Sequence, residues 1–324
     1  MTQSSFQTDP ERLIAHIQVL AQQIGPRPPG SAKEHRALEY VCDRLQTLGI
    51  TDVREQMFKS PPSNQPAVLP YVGLGLVSLL LMRAQNGLRW LGGIGLIGAL
   101  LGLRNALLKK PSPFYPLIAT AESHNLIARI EPHGDLTGFV IFTAHLDTTE
   151  HNTGADDNAS GVAVLLELAA DLQANPLEHT EVVLLFTGGS TAGASGIHAY
   201  IDQYAPPKDF TTFINVIHVG GRESSLSYLS SAGIPAFAEV HPAPRITALV
   251  NRLANRHPEY GVYPRTATNI DEMGALRARG FEAITLAGIP RGGNTPTSID
   301  HLSPEVMQRA LRFVKLILAD LDVE

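Results

Sequence analysis

A chain of 324 residues, 44% of them hydrophobic and with a net charge of −6, can build one large α/β domain around a sizeable core. The mild acidity excludes an electrostatic case for nucleic-acid binding, so no nucleic acid is expected as a partner. A single cysteine, Cys42, excludes an intrachain disulfide, and its place in a helical pattern predicts a small buried residue. The polar opening stretch, residues 1–12, predicts no cleavable secretory signal.

Asp9-Pro10 supplies a cap and a first-turn proline for a helix to Ile24, with Leu13, Ile14, Ile17, Leu20 and Ala21 on one face. Gly25-Pro26-Arg27-Pro28-Pro29-Gly30-Ser31 breaks it, and Arg27 is expected to be a turn residue with a surface salt link. Ser31 and Glu34 have capping-box spacing for a second helix, ended by Gly49, and Val53 to Phe58 reads as a strand.

The composition then changes. Ser60 to Met82 carries no charge, a short turn follows with Arg83 and Arg89, and a second apolar run extends from Trp90 to Leu103. Each run approaches the length needed to cross a bilayer, the second provided that Arg104 snorkels. Gly98 and Gly102 form a GxxxG pair suited to close helix contact. Residues 60–110 are therefore predicted to be an inserted hydrophobic helical hairpin that enters a membrane, with residues 1–59 and 111–324 forming one α/β domain. Lys59, Arg104, Lys109 and Lys110 on the domain side, against Arg83 and Arg89 in the turn, place that domain in the cytoplasm.

After the hairpin, strands are expected at 125–130, 138–143, 181–186, 213–219, 226–230 and 283–286. Helices are expected at 161–172, 197–204, 245–256, within 268–280, and at 304–321. Strands alternating with helices imply a single doubly wound, mostly parallel sheet with helices on both faces. The stretch Ala144 to Leu168 reads as strand end, Gly/Asp/Asn loop and helix, which sets His145, Asp147 and Asp157 at the carboxyl end of a central strand. Open α/β sheets hold ligands there, and a His with carboxylates at that place has the chemistry of a zinc site.

His145-Leu146-Asp147 together with Gly154-Ala-Asp-Asp-Asn-Ala-Ser-Gly161 resembles family M28 of the zinc peptidases. The resemblance covers about residues 10–58 and 120–320. It implies a two-zinc hydrolytic site: an Asp bridging both ions, a His and an Asp on one, a Glu and a His on the other, and a second Glu as general base. His145 matches the first His, Asp157 the bridging Asp, and Asp147 a carboxylate that orients the His.

The remaining positions depart from the family. Ser190 stands where the general base belongs, Thr191 replaces a ligating Glu, Ile217 a ligating Asp, and Asn294 the last His. A hydroxyl is no base near neutral pH without its own activator. His218 follows Ile217, but strand neighbours face opposite sides, so it reaches the site only if the backbone turns it inward. Zinc bound by His145 and Asp157 alone would be weak or absent.

The preferred expectation is a membrane-associated, non-catalytic M28-like protein whose cleft binds a peptide, a protein or a small ligand. The alternative is a metallopeptidase with a rearranged site, in which His218, His151 or His301 joins a single zinc and Asp147 or Glu150 positions water. A serine hydrolase built on Ser190 ranks below both, because no G-x-S-x-G elbow is present.

Overall fold

Asp9 caps the first helix, α1 (Pro10–Ile17), by accepting a hydrogen bond from the Glu11 amide, and Pro10 fills a first-turn position that needs no donor. The structure, a computed structural model, describes residues 9–85, 87–114, 120–290 and 297–323. α1 runs into a wider π-type turn, Gln18–Ile24, which stops at Gly25 with φ +78°. Ser31 caps α2 (Ala32–Thr47), accepting from Glu34 N at 3.1 Å. Cys42 in this helix is only partly buried, with its neighbours packed on the core.

Strand β1 (Val53–Ser60) leads into helices α3 (Gln65–Leu81) and α4 (Leu88–Leu107), and β2 (Ala121–Ile130) receives the chain again. β1 and β2 are antiparallel neighbours in which Ser60 sits opposite Ala121, so the chain leaves and re-enters the sheet at one point. There follow β3 (Gly138–His145), α5 (Gly161–Ala174), β4 (Thr180–Thr187), α6 (Ser195–Tyr204), β5 (Thr211–Ile217), β6 (Ser224–Ile234) and β7 (Ala238–Val240). α7 (Pro244–Arg256), β8 (Tyr263–Ala267), α8 (Glu272–Ala278), β9 (Glu282–Pro290) and α9 (Pro304–Leu321) complete the order.

The sheet runs β1-β2-β4-β3-β5-β9-β6-β7, with β8 beside β6. The centre, β4-β3-β5-β9, and the β6–β8 pair are parallel, while β1-β2, β2-β4, β9-β6 and β6-β7 are antiparallel. Alternate residues of the central strands feed two cores. Val140, Phe142, Leu184 and Phe186 pack with α1, α2, α5, α7 and α9, whereas Ile141, Val183, Leu185 and Phe213 pack with α6 and α8. Burial on both faces is why these strands read as unbroken apolar runs. β7 and β8 were not expected: the first has three residues, and Tyr-Pro-Arg-Thr-Ala in the second is largely exposed, with no apolar alternation to announce it.

The α3–α4 hairpin presents apolar side chains outward. Leu76, Leu80, Trp90, Ile94 and Ile97 are each more than 60% exposed, a patch far beyond what a water-facing helix pair needs. α4, with 20 residues, is long and apolar enough to cross a membrane, and the apolar part of α3, Ala67–Leu81, is shorter. The helices meet along Gly92, Gly95, Ala99 and Gly102, where a Cβ on Gly95 or Gly102 would run into Ser78 or the Tyr71 ring. Gly102 thus serves close contact as expected, but Gly98 faces open space. Arg104 does not snorkel: its Nε donates to the Phe237 carbonyl at 2.7 Å, tying the foot of α4 to the β6–β7 turn.

Glu34 links the start of α2 to the sheet. Its carboxylate accepts from Gly30 N at 2.7 Å, from Ser123 Oγ in β2, and from Gly189 N at 3.2 Å. Burial, reinforced by the Asp147 charge and opposed by these three donors, raises its pKa to about 8. The folded protein therefore keeps a proton that the unfolded chain releases near 4.5. Stability contributed by neutral Glu34 is full below that value and lost as the pH rises towards 8, with a limiting slope of about 1.4 kcal/mol per pH unit. Thermal melts of the wild type from pH 5 to 8.5 are expected to fall more steeply than those of Glu34→Gln. Equal slopes would show that Glu34 is ionised throughout.

Candidate functional site

The loops that carry the site are held from below by Arg27, which is 1% exposed. It is not the surface turn residue that its Pro/Gly-rich setting suggests. Its Nε donates to Leu146 O at 2.7 Å, and its Nη1 donates to Leu20 O, Gly25 O and Thr153 O at 2.6, 2.9 and 2.9 Å. Thr148 is bound from both sides: its Oγ1 accepts from Arg27 N, and its amide donates to Arg27 O. Burial pulls the guanidinium down to about 10, against the charges of Asp147, Asp157 and Glu34, which leaves it protonated at neutral pH. Carbonyls from four stretches of chain thus converge on one cation, and the turn after β3 is fixed to the end of the first helix.

His145, the last residue of β3, lies at the sheet's carboxyl edge, and Asp157 comes from the loop before α5. His145 Nε2 is 3.0 Å from Asp157 Oδ1. The other ring nitrogen, Nδ1, is 2.9 Å from the backbone carbonyl of Asp147, an acceptor that requires Nδ1 to carry hydrogen. Asp147 thus steadies the ring through its carbonyl, while its carboxylate lies farther off, at 3.9 Å. That carboxylate is taken by Ser190 N at 2.9 Å, Thr191 N at 2.8 Å and Thr191 Oγ1 at 2.6 Å. The Thr191 hydroxyl is accordingly committed to Asp147 at the cleft wall.

His218 joins the pair. β5 ends at Ile217, and His218 adopts φ +55°, a left-handed conformation uncommon outside glycine. This breaks strand alternation, so the expectation that it packs on the far face does not hold. Its Nε2 comes to 3.4 Å from the same Asp157 Oδ1. Asn158 steadies the turn, its amide donating to Val216 O and its Oδ1 accepting from His218 N and Gly161 N. Gly288 lacks a side chain where one would collide with His218 O.

Burial works against the charge on His145, but the Asp157 hydrogen bond and the charges of Asp157, Asp147 and Glu272 outweigh it and raise its pKa to about 9. Burial likewise opposes ionisation of Asp157, yet His218, His145 and Arg27 hold its carboxyl far below the ordinary range.

His145, Asp157 and His218 line a cleft of about 490 Å³, together with Ser190, Thr191, Ile217, Lys109 and Glu272. Lys109, expected only as a flank of the hairpin, is therefore part of the cleft wall. Sequence reasoning missed Glu272. It opens α8, is 1% exposed, accepts from Thr187 Oγ1 through Oε1, and has no partner for Oε2. Burial raises its pKa, with His145 opposing. The signal was the acidic pair Asp271-Glu272 at a helix start, and only the fold brings it to the strand ends. Glu150, His151 and His301 are exposed and do not line the cleft. Asn294 lies outside the described residues.

The two-zinc donor set that the family resemblance implies is not assembled by the described residues: Thr191, expected at one ligand position, gives its hydroxyl to Asp147, and Ile217, expected at another, offers no donor. Zinc bonds of about 2 Å bring shared donors within roughly 3.5 Å of one another. Among the described residues, the only three His, Cys, Asp or Glu donors within 4.8 Å of one another belong to His35, Glu55 and His124, so His145, Asp157 and His218 form no such group.

Comparison with known proteins agrees with the fold. The mouse protein named "Endoplasmic reticulum metallopeptidase 1" is 30% identical over 103 residues, 31% of this chain and 11% of that protein. A "Probable lipoprotein aminopeptidase" of Mycobacterium tuberculosis is 27% identical over 177 residues, 53% of this chain and 34% of that protein. The matches thus span about a tenth to a third of these relatives' lengths. Among solved structures, a zinc aminopeptidase from Bacillus subtilis superposes with a TM-score of 0.67 at 16% identity, covering 96% of this chain and 95% of that one. The model of peptidase family M28 matches residues 125–315, more than half of the sequence, and the chain belongs to that family.

Proposed function

We propose that this chain is a membrane-associated M28 domain that no longer performs two-metal peptide hydrolysis and uses its cleft to bind a peptide or small ligand. The observation that carries the reading is the occupancy of Asp157. The carboxylate expected to bridge two ions faces His145 and His218 through one oxygen. Thr191 and Ile217 offer no anionic donor beside it, and Thr191 is committed to Asp147. Among the described residues no histidine is hydrogen-bonded to the Ser190 hydroxyl, so it has no activating base there, and its amide is engaged by Asp147. The cleft itself remains, with acidic groups from α8 facing Lys109 and apolar side chains at Ile217, Leu229 and Ile289. Such a mixture suits ligand binding.

A second reading, a hydrolase with a rearranged site, is favoured by Glu272. A buried carboxylate with one unpaired oxygen beside His145 is placed to hold or accept a proton. The readings separate on turnover. Purified full-length protein, supplied with zinc and an aminoacyl p-nitroanilide series, is expected to show no more hydrolysis than its His145→Ala variant. Turnover that falls at least about 100-fold in both His145→Ala and Glu272→Gln would overturn the binding reading in favour of the second.

Membrane association is supported by the apolar outer surface of α3 and α4 and by the length of α4. Four basic residues at the hairpin's foot, Lys59, Arg104, Lys109 and Lys110, against Arg83 and Arg89 at its tip support a cytoplasmic domain, although Arg104 also donates to Phe237 O. The full chain is expected to stay with membranes through alkaline carbonate extraction, and its domain to resist protease added outside intact cells. Release into the supernatant would contradict insertion, and digestion would contradict the orientation.

A further inference from the structure

A second cluster of metal-type side chains lies on the outer face of the β1–β2 pair, among residues that the cleft does not use. We propose that His35, Glu55 and His124 form a binding site for a divalent cation of zinc type. The three come from different elements: His35 from the first turns of α2, Glu55 from β1 and His124 from β2. Register explains the meeting. Met57 is opposite His124 and Glu55 is opposite Leu126, so Glu55 and His124 are diagonal neighbours on one face, the face that α2 covers.

One donor atom from each lies within 4.8 Å of the other two. Glu55 Oε1 is 2.5 Å from His124 Nδ1 and 3.8 Å from His35 Nδ1. Apart from the Glu55 carboxylate, neither Nδ1 atom has a hydrogen-bond partner among the described residues, although both are shielded from solvent. The two rings are tilted against each other with centroids 4.9 Å apart. Two shielded imidazole nitrogens converging on one carboxylate oxygen leave a place that a cation satisfies and an apolar group does not.

The outer nitrogens also have acidic neighbours. Glu39 Oε1 is 3.5 Å from His35 Nε2, and Glu122 Oε1 is 3.9 Å from His124 Nε2. Carboxylates behind ligating imidazoles fix the ring tautomer and increase ligand basicity. Two nitrogens and one oxygen suit zinc or a similar borderline ion better than magnesium or calcium, and water can complete the shell. Such an ion clips α2 to the two strands from which the hydrophobic hairpin departs, beside the Ser60–Ala121 root. The site is thus separate from the cleft, and its fate does not depend on whether His145 or Asp157 binds metal.

The test uses the full chain in detergent micelles, stripped with chelator and then titrated with zinc or magnesium while bound metal and melting temperature are recorded. His35→Ala is the informative variant, because the side chain is 43% exposed and alanine suits a helix. Wild type and His145→Ala are expected to bind one more equivalent of zinc than His35→Ala and to melt several degrees higher with zinc, with no response to magnesium. Glu55→Gln should behave like His35→Ala. Equal stoichiometry and equal melting shifts in wild type and His35→Ala would overturn the proposal and leave the cluster a surface ion-pair network.

Discussion

The structure depends on a buried cation with no buried counterion in direct contact. Arg27 donates to carbonyls of Leu20, Gly25, Leu146 and Thr153 from a position closed to solvent. A guanidinium can span four carbonyls because its donors are fixed in a plane, which a lysine ammonium on a flexible stem cannot reproduce. Leu20 O also accepts from Gly25 N, but without Arg27 the carbonyls of Gly25, Leu146 and Thr153 would lose their donor, at a cost of about 1–3 kcal/mol each. The same contacts fix both ends of the turn that carries Asp147 and the approach to Asp157. The geometry of the cleft is therefore inherited from a residue that does not line it.

On the proposed reading, the chemistry of the site on that scaffold has been exchanged rather than erased. The strand ends, the loop from Gly154 to Gly161 and the left-handed turn at His218 still converge on one point. Positions expected to carry negative charge carry hydroxyls and an aliphatic chain, and two imidazoles face the Asp157 carboxylate. Thr191 and the Ser190 amide have become structural donors to Asp147. Fold and activity are separable, and the proposed reading describes one physical route by which they part.

What the sequence revealed follows the range over which each feature is encoded. The central strands were legible because burial on both faces demands continuous apolar runs, and His145 and Asp157 because their motifs are local. The hairpin was legible from composition, but its seam was not, since which glycines face the partner helix depends on rotation about the axis. His218 could not be placed because its direction hangs on one backbone angle. Glu272 meets Thr187 across 85 residues of chain. Arg27 looked like a surface residue because its partners are carbonyls, which leave no trace in side-chain patterns. β8 escaped notice because an exposed edge with Pro264 has no apolar period to display.

The central claim is that Asp157 is balanced by imidazoles instead of by a pair of ions. Anomalous scattering at the zinc edge, from crystals grown with the metal, tests it most directly. The account predicts no two peaks straddling Asp157, with His145 and His218 still against its carboxylate. Two peaks about 3.5–4 Å apart, sharing that carboxylate, would contradict it.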